Sequence, residues 1–281
     1  CISTPYYYRY GRNLSPEEYG RQCAEELEAA ILRYGPENVA AFIAEPITGA
    51  SGGAVVPPPN YFPLVREICD KYDILLIADE VMTGMGRTGK NFGIDHFQVV
   101  PDIMALGKGM TAGYTPMAAT LVSDKIIQTI NQGTGVIISG HTYSANPQSA
   151  AAGLAVVNYL EKHDLVRKAA DRGAYLLSQL EKLQKEFEIV GDARGKGMLC
   201  ALEFVKDKET KEPFPRSMGV AERVIDRAFD KGLIVYPAVG GINGAAGDAI
   251  LVAPPLTIEP HEIDILIDLL ASAIKEIERE L

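Results

Sequence analysis

Three short apolar runs, each stopping at a residue able to do chemistry, constrain this chain more than any other feature. Val39–Ala44 ends at Glu45-Pro46, Ile74–Ala78 ends at Asp79-Glu80, and Ile103–Leu106 ends at Gly107-Lys108. Runs of this length with no polar alternation predict strands covered on both faces, the pattern of a parallel sheet between layers of helix. The intervening segments agree. Ser15-Pro16-Glu17-Glu18 is a helix start, with Ser15 as N-cap, Pro16 in the first turn and Glu18 closing a capping box. Apolar residues then recur at helical spacing (Tyr19, Cys23, Leu27, Ile31, Tyr34) until Gly35-Pro36 ends the helix. A second helix is expected from about Tyr61 to Tyr72, and a further strand over Met117–Val122. The fold class that follows is α/β, with a mostly parallel central sheet covered by helices. In such sheets function gathers beyond the carboxyl ends of the strands, where Glu45, Asp79 and Lys108 all fall.

The pattern changes near residue 160. Helices are expected over Gln148–Glu161 and from Leu165 to about Phe187. They are followed by a strand over Met198–Val205, a polar loop, a helix over Val220–Asp230, strands near Leu233–Tyr236 and Ala249–Val252, and a last helix from Pro260. Residues 161–281 therefore form a smaller C-terminal α+β domain, and residues 1–160 a larger one. Val239–Asp248 is a glycine-rich loop, either a lid over a substrate or a plain connection.

Composition narrows the function. Twenty-seven Lys and Arg against thirty-seven Asp and Glu leave a net charge of −10 over 281 residues, which disfavours nucleic acid as a partner. Cys1, Cys23, Cys69 and Cys200 lie far apart with no metal-binding spacing, as expected of reduced, buried thiols in the cytoplasm. No apolar run is long enough to span a membrane, and the opening has no signal-peptide pattern. The chain starts at Cys1, not Met, and its opening resembles the interior of a protein, so the expectation is a fragment lacking its N-terminal part.

A lysine between Gly107 and Gly109 at the end of a buried strand is poorly placed for a fully solvated ammonium, and partial desolvation makes an amine a better nucleophile. Taken alone, a Gly-Lys-Gly turn is more often a surface feature. Asp79, taken alone, is more often a helix cap or a solvated acid. Together they gain meaning. One amine to bind an aldehyde and one carboxylate to keep a pyridine nitrogen protonated are what pyridoxal phosphate requires of a protein. His96 sits in an ordinary turn. His141 has no acid or nucleophile paired to it by spacing, so a structural hydrogen bond is expected of it. Arg194 is expected to satisfy local carbonyls in a turn. A dinucleotide-binding alternative needs Gly-x-Gly-x-x-Gly directly after a strand, and the glycines here do not fall in that pattern.

Ile77-Ala-Asp-Glu-Val-Met-Thr-Gly-Met-Gly-Arg-Thr-Gly89 and Asp102-Ile-Met-Ala-Leu-Gly-Lys-Gly-Met-Thr-Ala-Gly113 closely resemble, in residues and in spacing, the signature of the class III pyridoxal-phosphate aminotransferases. Ala44-Glu-Pro-Ile-Thr-Gly-Ala-Ser-Gly-Gly53, Ser139-Gly-His-Thr-Tyr-Ser-Ala-Asn-Pro147, Arg194-Gly-Lys-Gly-Met198 and Ala253-Pro-Pro-Leu256 are similar to further blocks of that family. The resemblance runs from about residue 39 to the end. It implies a fold type I enzyme with pyridoxal 5'-phosphate, passing an amino group from an amino acid or ω-amino compound to a keto acid in a ping-pong cycle. Under it, Lys108 would bind the cofactor and shuttle the proton at the substrate Cα. Asp79 would hold the pyridine nitrogen, and Val81 would pack on one face of the ring. Thr142 would reach the cofactor phosphate of the neighbouring subunit, making a homodimer. Glu45 would lie near the substrate amine or a carboxylate-reading arginine, or else would fix the Gly49–Gly53 loop.

Two departures qualify the resemblance. The phosphate cup and ring-stacking aromatic of the family precede the point where this chain begins. No arginine lies between Ala238 and Pro254, where ornithine-type members carry a reader of the α-carboxylate; this leans toward amines or ω-amino acids. The alternatives are an aminomutase or decarboxylase of the same family, or a non-catalytic scaffold that would be expected to lose the Lys–Asp pair.

Overall fold

The computed structural model describes all 281 residues. The first half opens with a single turn, α1 (Tyr7–Tyr10), and then α2 (Pro16–Tyr34), β1 (Ala41–Ala44), α3 (Tyr61–Lys71), β2 (Leu75–Asp79), β3 (Ile103–Leu106), β4 (Ala119–Val122), α4 (Asp124–Gln132) and α5 (Pro147–Lys162). The Ser15 capping box forms as the sequence indicates: Ser15 Oγ accepts from the Glu18 N–H at 3.2 Å, and Glu18 Oε2 accepts from the Ser15 N–H at 2.7 Å. At the start of α5, Asn146 Oδ1 accepts from the N–H groups of Gln148 and Ser149, and Pro147 in the first helical position has no N–H that needs a partner.

The first sheet runs β1-β2-β3-β4. β1, β2 and β3 are parallel, and β4 returns antiparallel along the outside of β3. One face packs on α2 and α3 through Leu27, Ile31, Phe62, Val65, Leu76, Ala78, Met104 and Leu106. The other face is open, with Ile43 59% exposed.

The second half begins with α6 (Leu165–Glu186), followed by β5 (Val190–Lys196), β6 (Leu199–Phe204), α7 (Val220–Asp230), β7 (Tyr236–Pro237), β8 (Asp248–Val252) and α8 (Pro260–Glu280). Its sheet is antiparallel in the order β5-β6-β8-β7. One face is covered by α6, α7 and α8, which contribute Leu176, Leu180, Val224, Leu270 and Ile274 to a core with Leu202, Phe204 and Ile250. The other face holds Leu199, Ala201, Ala249 and Leu251, and it packs on Ile47 and Ala54 from the loop after β1. Every residue of β6 and of β8 is buried.

Several expectations are corrected by the structure. Arg194 lies inside β5, not in a turn, and the turn follows at Gly197 (φ +53°). The strand expected near Leu233–Tyr236 is reduced to Tyr236–Pro237. Asp248 belongs to β8 and is fully buried, accepting the Ala221 N–H; it is no part of a solvated loop. The glycine-rich segment before it is a connection folded on itself, with Gly240 N–H donating to Gly247 O and Ile242 N–H to Ala246 O. Three of the cysteines are buried, but Cys1 is exposed. No helix is long and apolar enough to cross a membrane.

Candidate active site

The parallel register brings three strand ends together. Ala44 pairs with Ala78, and Asp79 pairs with Ala105, so Glu45, Asp79 and Lys108 leave neighbouring strands along one edge of the first sheet. Each strand is short because the chain must turn there. Pro46 follows Glu45, the Glu80–Gly93 loop follows Asp79, and Gly107 and Lys108 begin a 3₁₀ turn after β3. Lys108 has φ +41°, a left-handed conformation that costs energy in a residue with a Cβ and that collects at functional sites.

Lys108 is exposed on the wall of an open cavity of about 730 Å³, lined also by Thr111, Thr115, Met117, His141, Tyr143 and Asn146. Asp79 is half-buried, and its Oδ1 accepts the Val81 N–H at 3.1 Å. That bond turns the backbone so that Val81 lies beside Gly107: a Cβ on Gly107 would sit 3.5 Å from Val81 Cγ1. The Glu45 Oε2 accepts the Gly49 N–H at 2.7 Å, so the loop-fixing alternative for this carboxylate is realised in the structure. Burial pushes the Glu45 carboxyl above the ordinary value. The Gly49 N–H and the charge of Lys108 pull it back, and the charge of Asp79 pushes it further up.

Thr142 is exposed and does not line the Lys108 cavity, although His141 and Tyr143 on either side of it do. The structural hydrogen bond expected of the His141 ring is absent. Its backbone N–H donates to Ser144 Oγ at 3.0 Å, and the residue is part of the cavity lining. His96 Nε2 bonds instead to Thr88 O at 3.0 Å.

Two supporting residues escaped the sequence reasoning. Glu80 is 1% exposed; its carboxylate accepts from the Thr83 hydroxyl and from the N–H groups of Gly93 and Ile94, both at 2.8 Å. It closes the loop that starts at Asp79, and an acid directly beside Asp79 at a strand end was the available signal. Arg87 donates to Pro254 O at 2.6 Å and to Met198 O at 3.2 Å. Its signal was only the flanking glycines, Gly86 and Gly89, both at φ +84°.

A parallel sheet ending in a carboxylate and a lysine, beside a second sheet stacked on helices, is the architecture of the fold type I pyridoxal-phosphate enzymes. The family model for class-III aminotransferases matches residues 4–274, and the chain belongs to that family. It is 45% identical, over its whole length, to the uncharacterized aminotransferase YodT of Bacillus subtilis (strain 168), covering 63% of that protein. It is also 45% identical over 269 residues to the putrescine–pyruvate aminotransferase of Pseudomonas aeruginosa, covering 95% of this chain and 56% of the relative. Among solved structures, a thermostable (S)-enantioselective ω-transaminase from Thermomicrobium roseum superposes with a TM-score of 0.90 at 41% identity, covering 98% of this chain and 59% of that one. An amine transaminase from an uncultivated Pseudomonas species, solved with pyridoxal phosphate bound, gives 0.91 at 41% identity, covering 98% and 61%. The chain thus spans roughly three fifths of the length of these relatives.

Proposed function

We propose that the protein is a transaminase that passes an amino group from an amine or ω-amino compound to a keto acid, using pyridoxal 5'-phosphate. The observation that carries this is the adjacency of Asp79 and the left-handed, cavity-lining Lys108 on neighbouring parallel strands. The residues fit the cofactor by the chemistry they offer. One amine lines an open cavity, one carboxylate stands on the next strand end, and the apolar flank of Val81 lies beside Gly107. When bound, the cofactor supplies an aldehyde that takes up the amino group and a ring that accepts the electron pair released at the substrate Cα. The rest falls to the chain. Asp79 would hold the ring nitrogen and favour its protonated form by charge pairing, and the Val81 N–H holds that carboxylate in place. Lys108 Nζ would hold the group at its aldehyde and would hold or move the proton at the substrate Cα.

Residues 1–160 are the cofactor-binding part in this proposal, and residues 161–281 the smaller domain. A cytoplasmic homodimer is the proposed unit. Thr142 is exposed and lies off its own chain's cavity, and the same segment carries exposed apolar side chains at Ile138 (91%) and Tyr143 (83%), which supports Thr142 serving the phosphate of a second copy. The missing arginine before Pro254, together with relatives named for putrescine and for ω-amines, favours a donor whose amine is remote from any α-carboxylate.

The test is a visible spectrum of the protein with pyridoxal phosphate, followed by borohydride reduction and peptide mapping. The expected result is a yellow complex, fixed by reduction onto the Lys108 peptide and lost in Lys108→Ala. A chain that binds no pyridoxal phosphate in its full-length form, or that fixes it elsewhere, overturns the proposal. Turnover of diamines and ω-amino acids with pyruvate then tests the donor class.

A further inference from the structure

Glu45 belongs to the first sheet by its backbone, but the turn that holds its carboxylate is gripped by the second. Arg194, on β5, reaches out of its own sheet: Nε donates to Gly53 O at 2.6 Å and Nη2 to Gly52 O at 2.9 Å. Two successive carbonyls met by two adjacent donors is a geometry that the rigid guanidinium fork matches and a lysine does not. The guanidinium is itself fixed on its other sides. Nη1 donates to Asp192 at 2.8 Å and to Glu203 at 2.7 Å, and the plane lies 4.8 Å from the centre of the Tyr6 ring. Glu203, only 2% exposed, is held in turn by Arg9 Nε at 2.6 Å.

The turn can approach this closely because it carries glycines. Gly53 has φ +72°, and a Cβ there would lie 3.1 Å from Arg194 Nη2. Within the turn, the Gly53 N–H donates to Gly49 O at 2.9 Å, and the Gly49 N–H donates to Glu45 Oε2 at 2.7 Å. Gly49 also sets the separation between the loops after β1 and β2. A Cβ on it would stand 2.3 Å from Met82 Sδ and 2.9 Å from Glu45 Oε2.

We propose that Arg194 is a positioning residue for Glu45: by clamping the Gly52 and Gly53 carbonyls to the second sheet, it fixes the turn whose Gly49 N–H holds the Glu45 carboxylate at the carboxyl edge of the first sheet. The clamp stands on the geometry alone, whereas its consequence for the cofactor rests on the function proposed above.

Two measurements on the full chain separate these parts. The first is amide hydrogen exchange of residues 49–54 without cofactor, in Arg194→Met and Arg194→Lys. The expected result is exchange at least tenfold faster in Arg194→Met and intermediate in Arg194→Lys, with β6 and α8 unchanged. Unchanged exchange in the turn, or acceleration spread over β6 and α8, overturns the clamp. The second is the pH midpoint of the visible absorption band of bound pyridoxal phosphate. The groups facing Glu45 are Asp79 and Lys108. Glu45→Gln should displace the midpoint, Arg194→Met should displace it in the same direction, and the double variant should show no more than Glu45→Gln alone. Additive displacements, or none in Arg194→Met where Glu45→Gln gives one, overturn the link to Glu45, as does a midpoint that Glu45→Gln leaves unmoved. A protein that binds no pyridoxal phosphate defeats the proposed function and leaves the exchange result to decide the clamp. Should Arg194→Met not fold, Arg194→Lys carries both measurements, because it keeps the buried charge but not the fork.

Discussion

The two sheets of this protein divide the work differently. In the second sheet, β6 and β8 are buried along their whole length and sit between helices on one face and the Ile47–Ala54 loop on the other. In the first, burial alternates along β2 and β3, and the face bearing Ile43 stays open. Yet the chemistry belongs to the first. Only parallel strands deliver several chain ends to one edge, and only there do Glu45, Asp79 and Lys108 meet. The second sheet contributes rigidity at a distance through two half-buried arginines that bridge it to the loops of the first. Arg194 reaches to the loop after β1, and Arg87, from the loop after β2, reaches back to the carbonyls of Met198 and Pro254. Active edge and rigid support are thus different sheets joined by two guanidinium groups.

The contrast is open to direct attack. Leu202 in β6 is completely buried and Leu121 in β4 is 47% exposed, so the same truncation should give very different results. Leu202→Ala is expected to lower the unfolding free energy by about 3 kcal/mol, as a cavity in a close-packed core does, and Leu121→Ala by less than about 1 kcal/mol. Urea unfolding of both variants measures this. Equal losses would mean that the two sheets are packed alike.

A smaller effect of unusual sign is expected where α6 meets the turn between β5 and β6. A glycine inside a helix ordinarily gains up to about 1 kcal/mol on replacement by Ala. At Gly173, however, the added Cβ would lie 2.2 Å from the backbone carbon of Gly197. Backbone cannot step aside as a side chain does, so Gly173→Ala should destabilise by about 2 kcal/mol. A raised melting temperature would show that α6 is free to shift against the second sheet.

The first sheet was the legible one. Its strands are unbroken apolar runs, and β1, β2 and β3 stand where those runs predict, with Glu45, Asp79 and Lys108 at their ends. Period and capping chemistry also marked α2, whose local signals agree with its tertiary role. β5 was not legible. Val190-Gly-Asp-Ala-Arg-Gly-Lys196 has no apolar run, because its inward charges are answered from outside the segment, Arg194 by Glu203 and by the Gly52 and Gly53 carbonyls. Such partners lie far off in sequence, and no local propensity announces them. The same limit hid the reach of Arg87 and the triple acceptance by Glu80. His141 failed for another reason: spacing can suggest a hydrogen-bond partner for a ring, but it does not say that the residue stands on the wall of a cavity.

The smallest of the expected effects concerns how β2 and β3 keep the register that puts Asp79 beside the strand leading to Lys108. Asp102, just before β3, accepts the Leu76 N–H at 2.8 Å and the Arg66 guanidinium at 2.7 Å, so a single carboxylate ties the start of β3 to the middle of β2. Burial works to raise the Asp102 carboxyl, but those two donors outweigh it and hold it below the ordinary aspartate value. A carboxyl whose native value is depressed contributes stability that is complete above its unfolded value, near pH 4, and that is lost as the pH falls through the native value. Asp102→Asn should therefore cost about 1 kcal/mol at neutral pH, and the gap to the parent protein should close as the pH falls below about 4 and through the depressed native value. A gap that stays constant over that range would assign the role of Asp102 to the shape of its side chain. The charge would then play no part in setting the register on which the active edge depends.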